Sequence, residues 1–189
     1  MKKIFLTLIC VASICSNAYT QNDTVYFEWQ PNGRMLTKDG ADSQIVQIEG
    51  KSQEVLYNEL LVAASSLFNS PKDTISSIEN QLISINAIQP VIWKLGGLLG
   101  ALEVKIHYVL KIHIKDNKIK IDAPYFSLLS FSTGGTQENI EGWTKTQKFF
   151  NSDGTPNNKK GKAEFIKDIN SSFNALIYAI INSKNQEEW

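Results

Sequence analysis

The sequence contains very little cysteine, and what it has lies near its start. Cys10 and Cys15 are the only cysteines among 189 residues, so the region from 21 to 189 contains none. Disulfides, thiolate nucleophiles and cysteine-based metal sites are therefore excluded from that region. Its stability has to come from a hydrophobic core, which a chain of this length can form without covalent cross-links.

The sequence also lacks an excess of charge of either sign. Its 19 lysines and arginines are balanced by 19 aspartates and glutamates, and 42% of its residues are hydrophobic. A dedicated nucleic-acid-binding domain normally carries a large basic excess, so we expect no nucleic-acid partner. The ordinary hydrophobic content argues against intrinsic disorder.

Motifs for catalysis, nucleotide binding and metal binding are absent as well. The sequence contains no G-x-S-x-G, no G-x-x-x-x-G-K-[ST] and no G-x-G-x-x-G. Its two histidines, His107 and His113, share one face of a predicted strand and are about 20 Å apart at roughly 3.3 Å per residue. The ligands of one metal ion lie within about 2 Å of it, so these histidines cannot chelate together. We therefore predict no catalytic residue, no metal site and no cofactor.

The first 20 residues have the three-part pattern of a secretory signal peptide. Lys2 and Lys3 precede an uncharged apolar run over 4–15, and the residues that follow are mostly small or polar. As a helix that run would be roughly 18 Å long, which is too short to cross a hydrocarbon core of about 30 Å. The pattern predicts export to the periplasm or out of the cell, without a transmembrane anchor. Lipoprotein processing at Cys15 is the alternative, although Ile14 does not fit the small-residue rule before such a cut.

Hydrophobic periodicity predicts short strands, a helix and a β-hairpin in the first two thirds of the chain. The predicted strands cover 25–29, 44–48, 74–78 and 82–88, the last of them ended by Pro90. A helix is predicted over 52–68, with Ser52 as its N-cap. Over 104–121, isoleucines alternate with polar residues on both sides of Asp116-Asn117, which predicts a hairpin whose register pairs Ile114 with Ile119.

The last third is predicted to contain a strand, a long loop and a helix. Residues 125–131 extend the second hairpin strand, and a wide apolar stripe over 163–183 predicts a helix. The polar region 132–162 favours a loop pinned to the body by Trp143, Phe149 and Phe150. This order of elements predicts a single α+β domain over 21–189, a two-layer sandwich with helices packed on one face of an antiparallel sheet. The other face would carry His107, Lys111, His113 and Lys120, partly open to water.

Three stretches of the chain resemble DUF4468, a domain family of unknown function with a TBP-like fold. They are IVQIEGKSQEVLYNELLVAASSLF, ISINAI and YVLKIHIKDNKIKI, all within residues 45–125. The family pattern has a strand ending near Gly, a Ser-led helix with LY, and a hairpin resembling Y-x-L-x-I-x-x-K-D-G-K. Asn117 stands where that hairpin commonly has Gly. The resemblance implies a TBP-like fold and an exported protein of Bacteroidetes-type bacteria, and it implies no activity.

The segment 91–102, VIWKLGGLLGAL, is apolar on all sides and is the first candidate for a binding site. It is interpreted in three ways: as a buried loop or short helix of the core, as an exposed apolar patch, or as a peripheral membrane contact. In the second interpretation, the binding residues would be Trp93, Leu95, Leu98, Leu99 and Trp143.

From these observations we expect a non-enzymatic, exported domain of the bacterial envelope. It would bind an unknown small ligand or envelope protein by burying apolar and aromatic side chains. An enzyme of unrecognised type, and a structural or assembly component that uses its sheet edge, are the alternatives. The basic cluster of Lys159, Lys160 and Lys162 is interpreted as a solvated loop, with an anionic glycan or lipid head group as an alternative ligand.

Overall fold

The computed structural model describes residues 25–95, 100–131 and 137–182. The strands are β1 (Glu28–Trp29), β2 (Met35–Leu36), β3 (Ser43–Gln47), β4 (Ile75–Ile78), β5 (Leu82–Lys94), β6 (Ala101–Lys115), β7 (Lys118–Asp122), β8 (Tyr125–Phe131) and β9 (Gln137–Glu138). The helices are α1 (Gln53–Ser66), α2 (Pro71–Thr74), α3 (Ile140–Gln147) and α4 (Lys162–Ile181). The predicted signal peptide, residues 1–20, lies outside the described residues.

The main sheet is built around β6, its longest strand. The strand order across the sheet is β3-β7-β6-β5-β4, and all of its strand pairs are antiparallel. Strand β8 pairs with β6 on the same side as β7, and β9 pairs with β8. The chain therefore continues along β6 from β7 into β8, as predicted for 125–131. A separate short hairpin pairs β1 with β2.

Helices α1 and α4 cover one face of this sheet and enclose the core. Helix α1 begins after Ser52, whose hydroxyl accepts a hydrogen bond from the Val55 N–H at 3.3 Å, as the predicted N-cap requires. Helix α4 buries an apolar stripe made of Phe165, Ile166, Ile169, Phe173, Ile177 and Ile180. The stripe packs on the inward residues of β5 and β6, so the predicted α+β sandwich is confirmed.

The β6–β7 hairpin has the register that the isoleucine pattern predicts. Ile114 pairs with Ile119, and Lys115 pairs with Lys118 across the turn. Asn117 takes a φ of 61° in this turn, a backbone conformation that asparagine tolerates better than most residues. The absence of glycine at this position therefore leaves the hairpin intact.

Strand β5 runs through Pro90, so the prediction that the strand ends there is wrong. The Leu95 N–H donates to the Gly100 carbonyl at 3.0 Å, and the Ile114 N–H donates to the Gln81 carbonyl at 2.9 Å. Given the register, the odd-numbered residues of β5 are therefore the ones hydrogen-bonded to β6. Pro90 is even-numbered, so the N–H it lacks would point to the other edge, beyond the end of β4. A proline facing a free edge removes no hydrogen bond from the ladder, and the strand continues.

The segment 91–102 forms the two arms of the β5–β6 hairpin wherever the structure describes it, so the interpretation as a loop or short helix is wrong. Val91 and Trp93 point into the core, whereas Ile92 and Lys94 point outward. The alternation is hidden in the sequence because Ile92 is apolar although its side chain faces solvent. Residues 96–99, between the two arms, lie outside the described residues.

The region 132–162 contains helix α3, where the composition predicts mostly loop. The Asn139 side chain caps this helix and accepts hydrogen bonds from the N–H groups of Glu141, at 2.9 Å, and Gly142, at 3.3 Å. A helix of about two turns offers little periodicity, and Gly142 lowers its intrinsic helix propensity. The prediction that Trp143 and Phe149 pin the region to the body is confirmed, since both rings are buried in the core.

Candidate functional site

The structure brings the predicted binding residues Trp93 and Trp143 together, but inside the core. Their rings meet edge to face with centroids 5.7 Å apart, and the two residues are only 5% and 2% exposed. The surrounding aromatic cluster also contains Trp29, Phe149 and Phe165. Rings enclosed in this way stabilise the fold through buried area and edge contacts. They present almost no surface to a partner.

Trp93 also holds a 3₁₀ turn, Lys159–Gly161, against the end of β5. Its indole Nε1 donates a hydrogen bond to the Lys160 carbonyl at 2.9 Å. Gly161, at a φ of 67°, lies so close to the strand that a Cβ atom would sit 1.9 Å from the Lys94 carbonyl oxygen. Lys94 in turn forms an ion pair with Glu164 of α4 at 3.0 Å. These contacts give Trp93 a structural role in joining the turn and α4 to the sheet.

Of the three leucines in the predicted site, the structure describes one. Leu95 is half-buried and packs against the core. Leu98 and Leu99 lie outside the described residues. The predicted binding set is thus divided between the core and a part of the chain that is not described, and its use by a partner stays a prediction.

The basic cluster after α3 is divided in a similar way. Lys159 and Lys160 are exposed, whereas Lys162 is buried. The Lys162 ammonium donates to the carbonyls of Gln147 and Lys148 at the end of α3. Burial lowers the pKa of Lys162, and the neighbouring lysines lower it further. Lys162 therefore serves as a C-terminal cap of α3 and is not part of a surface cluster.

Opposite α1 and α4, the outward side chains of the main sheet form a surface that no described helix covers, which we call the open face. His107, Lys111, His113 and Lys120 lie on it, as predicted. Five large apolar side chains of the open face are strongly exposed: Ile45, Ile78, Ile88, Ile92 and Tyr125. Leu82, Val109 and Leu128 lie between them and are half-buried. Exposed apolar side chains gathered on one face are typical of interaction surfaces.

A small charge network stands near the centre of the open face. The Asp122 carboxylate accepts one hydrogen bond from the Lys120 ammonium and one from Nε2 of His113, both at 2.8 Å. Partial burial alone would raise the pKa of Asp122, but the hydrogen bonds from Lys120 and His113 outweigh it and hold the pKa below the ordinary aspartate value. Asp122 is therefore ionised at neutral pH and fixes both partners on the sheet surface.

Three lysines at the hairpin end of the open face, Lys111, Lys115 and Lys118, have no acidic side chain within ion-pair distance among the described residues. Lys115 and Lys118 stand directly opposite each other, and like charges in that position destabilise a strand pair. Asp116 lies between them in the turn, but its carboxylate accepts a hydrogen bond from the Gln53 N–H of α1 at 2.8 Å. A shallow groove of about 660 Å³ beside them is lined by Gln53, Ile78, Gln81, Leu82, His113, Ile114, Lys115, Asp116 and Lys118.

A second groove, of about 490 Å³, lies where β7 passes into β8. Arg34, Asp42, Lys120, Asp122 and Glu141 supply its charges. Each of the three carboxylates is paired with a cation: Asp42 with Arg34 at 3.9 Å, Asp122 with Lys120 at 2.8 Å, and Glu141 with Lys145 at 2.7 Å. This groove therefore offers a ligand less uncompensated charge than the hairpin end of the open face.

Within 25–95, 100–131 and 137–182, no three His, Cys, Asp or Glu side chains lie close enough together to hold a metal ion. None of the helices in these ranges is both long and apolar enough to cross a membrane.

Sequence reasoning found the polar half of the open face and missed its apolar half. The lysines and histidines of β6 appear as one phase of a clear alternation. Ile88, in contrast, is the last residue of the predicted strand 82–88, and Ile92 lies beyond the strand end predicted at Pro90. Reading the alternation of 82–88 onward through Pro90 places both isoleucines on the same face as Ser84. The continued alternation was therefore the sequence signal that could have placed Ile88 and Ile92 on the open face.

Comparison with known proteins finds one family that resembles α1 and most of the main sheet. Residues 43–128 match the family model described as a domain of unknown function (DUF4468) with TBP-like fold. None of the curated proteins matches the sequence significantly.

Two solved structures have a similar fold. A DUF4468 family protein from Bacteroides ovatus has a TM-score of 0.59 at 14% identity, covering 83% of this chain and 91% of its own. A TBP-like protein from Parabacteroides distasonis has a TM-score of 0.51 at 17% identity, covering 74% of this chain and 91% of its own. At these identities the similarity concerns the fold alone. The segment 43–128 of this chain is thus similar to DUF4468, a domain of unknown function, and has a TBP-like fold.

Proposed function

We propose that this chain is an exported, non-enzymatic binding domain of the bacterial envelope that engages a macromolecular partner with its open face. The observation that carries the proposal is the exposure of five large apolar side chains on a sheet face that no described helix covers. Covering such side chains contributes about 25 cal/mol for each Å² of apolar surface removed from water. A partner that covers the open face would therefore gain free energy that a scattered set of apolar residues does not offer.

The shape of the open face favours a macromolecule over a small ligand. Sites for small molecules are concave and enclose most of the ligand surface. The groove beside the hairpin end is shallow, and the exposed residues Ile45, Ile88 and Tyr125 lie on three different strands. An extended contact surface across several strands matches a protein-sized partner.

Export is supported by the residue pattern of 1–20, with its basic start and short apolar run. We expect protein recovered from the periplasm or the medium to begin at Tyr19 or Gln21 when its amino terminus is sequenced. Protein that keeps Met1 and stays in the cytoplasm would contradict this part of the proposal.

Site-specific photo-crosslinking in the native cells tests the binding surface. A photoreactive amino acid replaces Ile88, which is 51% exposed on the open face, or Tyr125, which is 64% exposed on the same face. Val62 of α1, 66% exposed on the helical side, is the matched control position. The proposal predicts one dominant adduct from Ile88 and Tyr125 and no adduct from Val62. Adducts from Val62 alone, or none from any position, would contradict it.

A further inference from the structure

The open face carries more positive than negative charge, although the whole chain is formally neutral. Strands β6 and β7 direct five lysines to this face: Lys105, Lys111, Lys115, Lys118 and Lys120. Within the described residues, the same strands direct two carboxylates there, those of Glu103 and Asp122. Glu103 pairs with Lys105 at 3.8 Å, and Asp122 pairs with Lys120 at 2.8 Å. Three lysine charges are left uncompensated, all at the hairpin end.

An anion bound at the hairpin end would relieve a repulsion between two lysines. Lys115 and Lys118 face each other across the strand pair, which costs free energy because their charges repel. The carboxylate of Asp116 is engaged by the N–H of Gln53 and does not separate them. An acidic group held between Lys115 and Lys118 would replace this repulsion by two attractions.

The large apolar side chains beside these lysines are aliphatic, which favours one class of anionic partner. Ile78 and Leu82 line the same groove as Lys115 and Lys118. Further along β5 the exposed large apolar side chains of the face are Ile88 and Ile92. Single-stranded nucleic acids are bound in basic grooves where successive bases stack on aromatic rings. Tyr125 is the one ring among the exposed large apolar residues of the face. Aliphatic side chains interleaved with lysines match a polypeptide that carries both acidic and apolar side chains.

A second copy of this chain fits the open face poorly as a symmetric partner. In a two-fold dimer the same surface of both copies would meet. The second copy would bring to the uncompensated lysines only the carboxylates of Glu103 and Asp122, which are already paired with Lys105 and Lys120. Two surfaces that each carry excess positive charge repel each other, which costs affinity.

We infer that the open face binds an acidic polypeptide segment, with carboxylates at Lys111, Lys115 and Lys118 and apolar side chains against Ile78, Leu82, Ile88 and Ile92. This inference rests on the proposed function of the same face. From Leu82 to Ile92 the strand extends roughly 33 Å, so about ten extended residues would span the face. Charge sets the orientation of the segment, and apolar burial supplies most of the affinity.

Binding of defined polymers to the purified domain tests the inference. The probes are a fluorescent random copolymer of glutamate and tyrosine, polyglutamate, polygalacturonate and a single-stranded oligonucleotide. We expect the copolymer to bind most tightly, since it alone offers both carboxylates and apolar side chains. Tighter binding of polygalacturonate or the oligonucleotide would overturn the inference, as would the absence of any binding by the copolymer.

Charge reversal locates the contact. The double variant Lys115→Glu/Lys118→Glu should weaken copolymer binding by about tenfold or more, because two charge contacts become repulsions. Lys72→Glu/Lys167→Glu changes the net charge equally at exposed positions outside the open face and should leave binding within about twofold. Equal losses in both variants would show nonspecific attraction and overturn the inference. Thermal unfolding of each variant confirms that the fold is retained.

Crosslinking separates this inference from the proposed function. If adducts at Ile88 survive Lys115→Glu/Lys118→Glu in cells, the open face binds a partner that is not acidic at this end. The proposed function would then stand while the acidic partner is overturned. If no adduct forms at Ile88 even in the unaltered chain, the proposed function itself fails.

Discussion

The side chain of Asn174 hydrogen-bonds both backbone groups of Phe27. Its Oδ1 accepts from the Phe27 N–H at 2.9 Å, and its Nδ2 donates to the Phe27 carbonyl at 2.8 Å. One turn earlier on α4, Asn170 accepts from the Trp29 N–H at 2.8 Å. These two asparagines give the backbone of Phe27 and Trp29, in and just before β1, the pairing that a neighbouring strand would otherwise provide. Through these hydrogen bonds α4 holds the first described residues of the chain in place.

Replacing Asn174 by alanine should destabilise the domain by about 2 to 3 kcal/mol, because the N–H and carbonyl of Phe27 lose their partners. Asn174→Asp should destabilise the domain to a similar extent, since a carboxylate cannot donate to the Phe27 carbonyl. Asn182→Ala is the control, because the Asn182 side chain binds one exposed carbonyl at the end of α4. Urea unfolding measures the changes, and equal stability of the Asn174 and Asn182 variants would refute the prediction.

Gly161→Ala should lower the free energy of unfolding by at least about 3 kcal/mol. The new Cβ would lie 1.9 Å from the Lys94 carbonyl oxygen, a backbone atom, and the residue would keep a left-handed φ. Gly40 has a φ of 81° with no atom within 4 Å of its Cβ position. Gly40→Ala therefore pays only the conformational cost of about 1 to 2 kcal/mol. Thermal denaturation of the pair isolates the contact with Lys94, and similar losses in both variants would argue against it.

Asp122 makes the stability of the fold depend on pH in the acidic range. Its folded-state pKa is lowered from the ordinary value of 3.8, so its stabilisation is present above that value and is lost as the pH falls through the folded-state pKa. Asp122→Asn should cost about 1 kcal/mol or less at neutral pH, because His113 and Lys120 are more than one third exposed.

Thermal unfolding from pH 7 to about pH 3 measures this effect, and the difference between the Asp122→Asn variant and the unaltered chain should close toward the acidic end. Asp42→Asn is the control, since the Arg34–Asp42 pair is long, at 3.9 Å, and exposed. A stability difference that stays constant over the whole range would count against a role for the Asp122 carboxylate.

Trp93→Phe should reduce stability without altering the binding surface. The variant loses the hydrogen bond to the Lys160 carbonyl and part of a buried ring, which together cost about 2 to 4 kcal/mol. Because Trp93 lies in the core, photo-crosslinking from Ile88 should be unchanged below the unfolding temperature. Loss of the adduct in a folded Trp93→Phe variant would restore the interpretation of Trp93 as a binding residue.

The regular elements of this fold were predictable because their side chains alternate visibly between two environments. The β6–β7 hairpin alternates isoleucine with lysine or histidine, and the apolar stripe of α4 recurs at helical spacing. Strand β5 loses that contrast after Pro90, since Ile92 is exposed while Val91 and Trp93 are buried. Its continuation depends on which edge Pro90 faces, and that is decided by pairing with β6.

The candidate site was less predictable because it depends on contacts between distant parts of the chain. Five rings from four separate stretches of the chain meet in one cluster: Trp29, Trp93, Trp143, Phe149 and Phe165. An exposed tryptophan and a buried one look alike in a sequence, and only the packing of α3 and α4 covers these rings. The open face, by contrast, follows from the strand phase once the full length of β5 is known.

Lysine accessibility in living cells tests the central claim, that a partner occupies the open face. A membrane-permeant acetylating reagent is applied to native cells and to the purified protein, and the modified lysines are measured by mass spectrometry. We predict that Lys111 and Lys118 react in the purified protein but are protected in cells, while Lys72 and Lys167 react alike in both. Equal reactivity of Lys111 and Lys118 in cells and in isolation would contradict the claim.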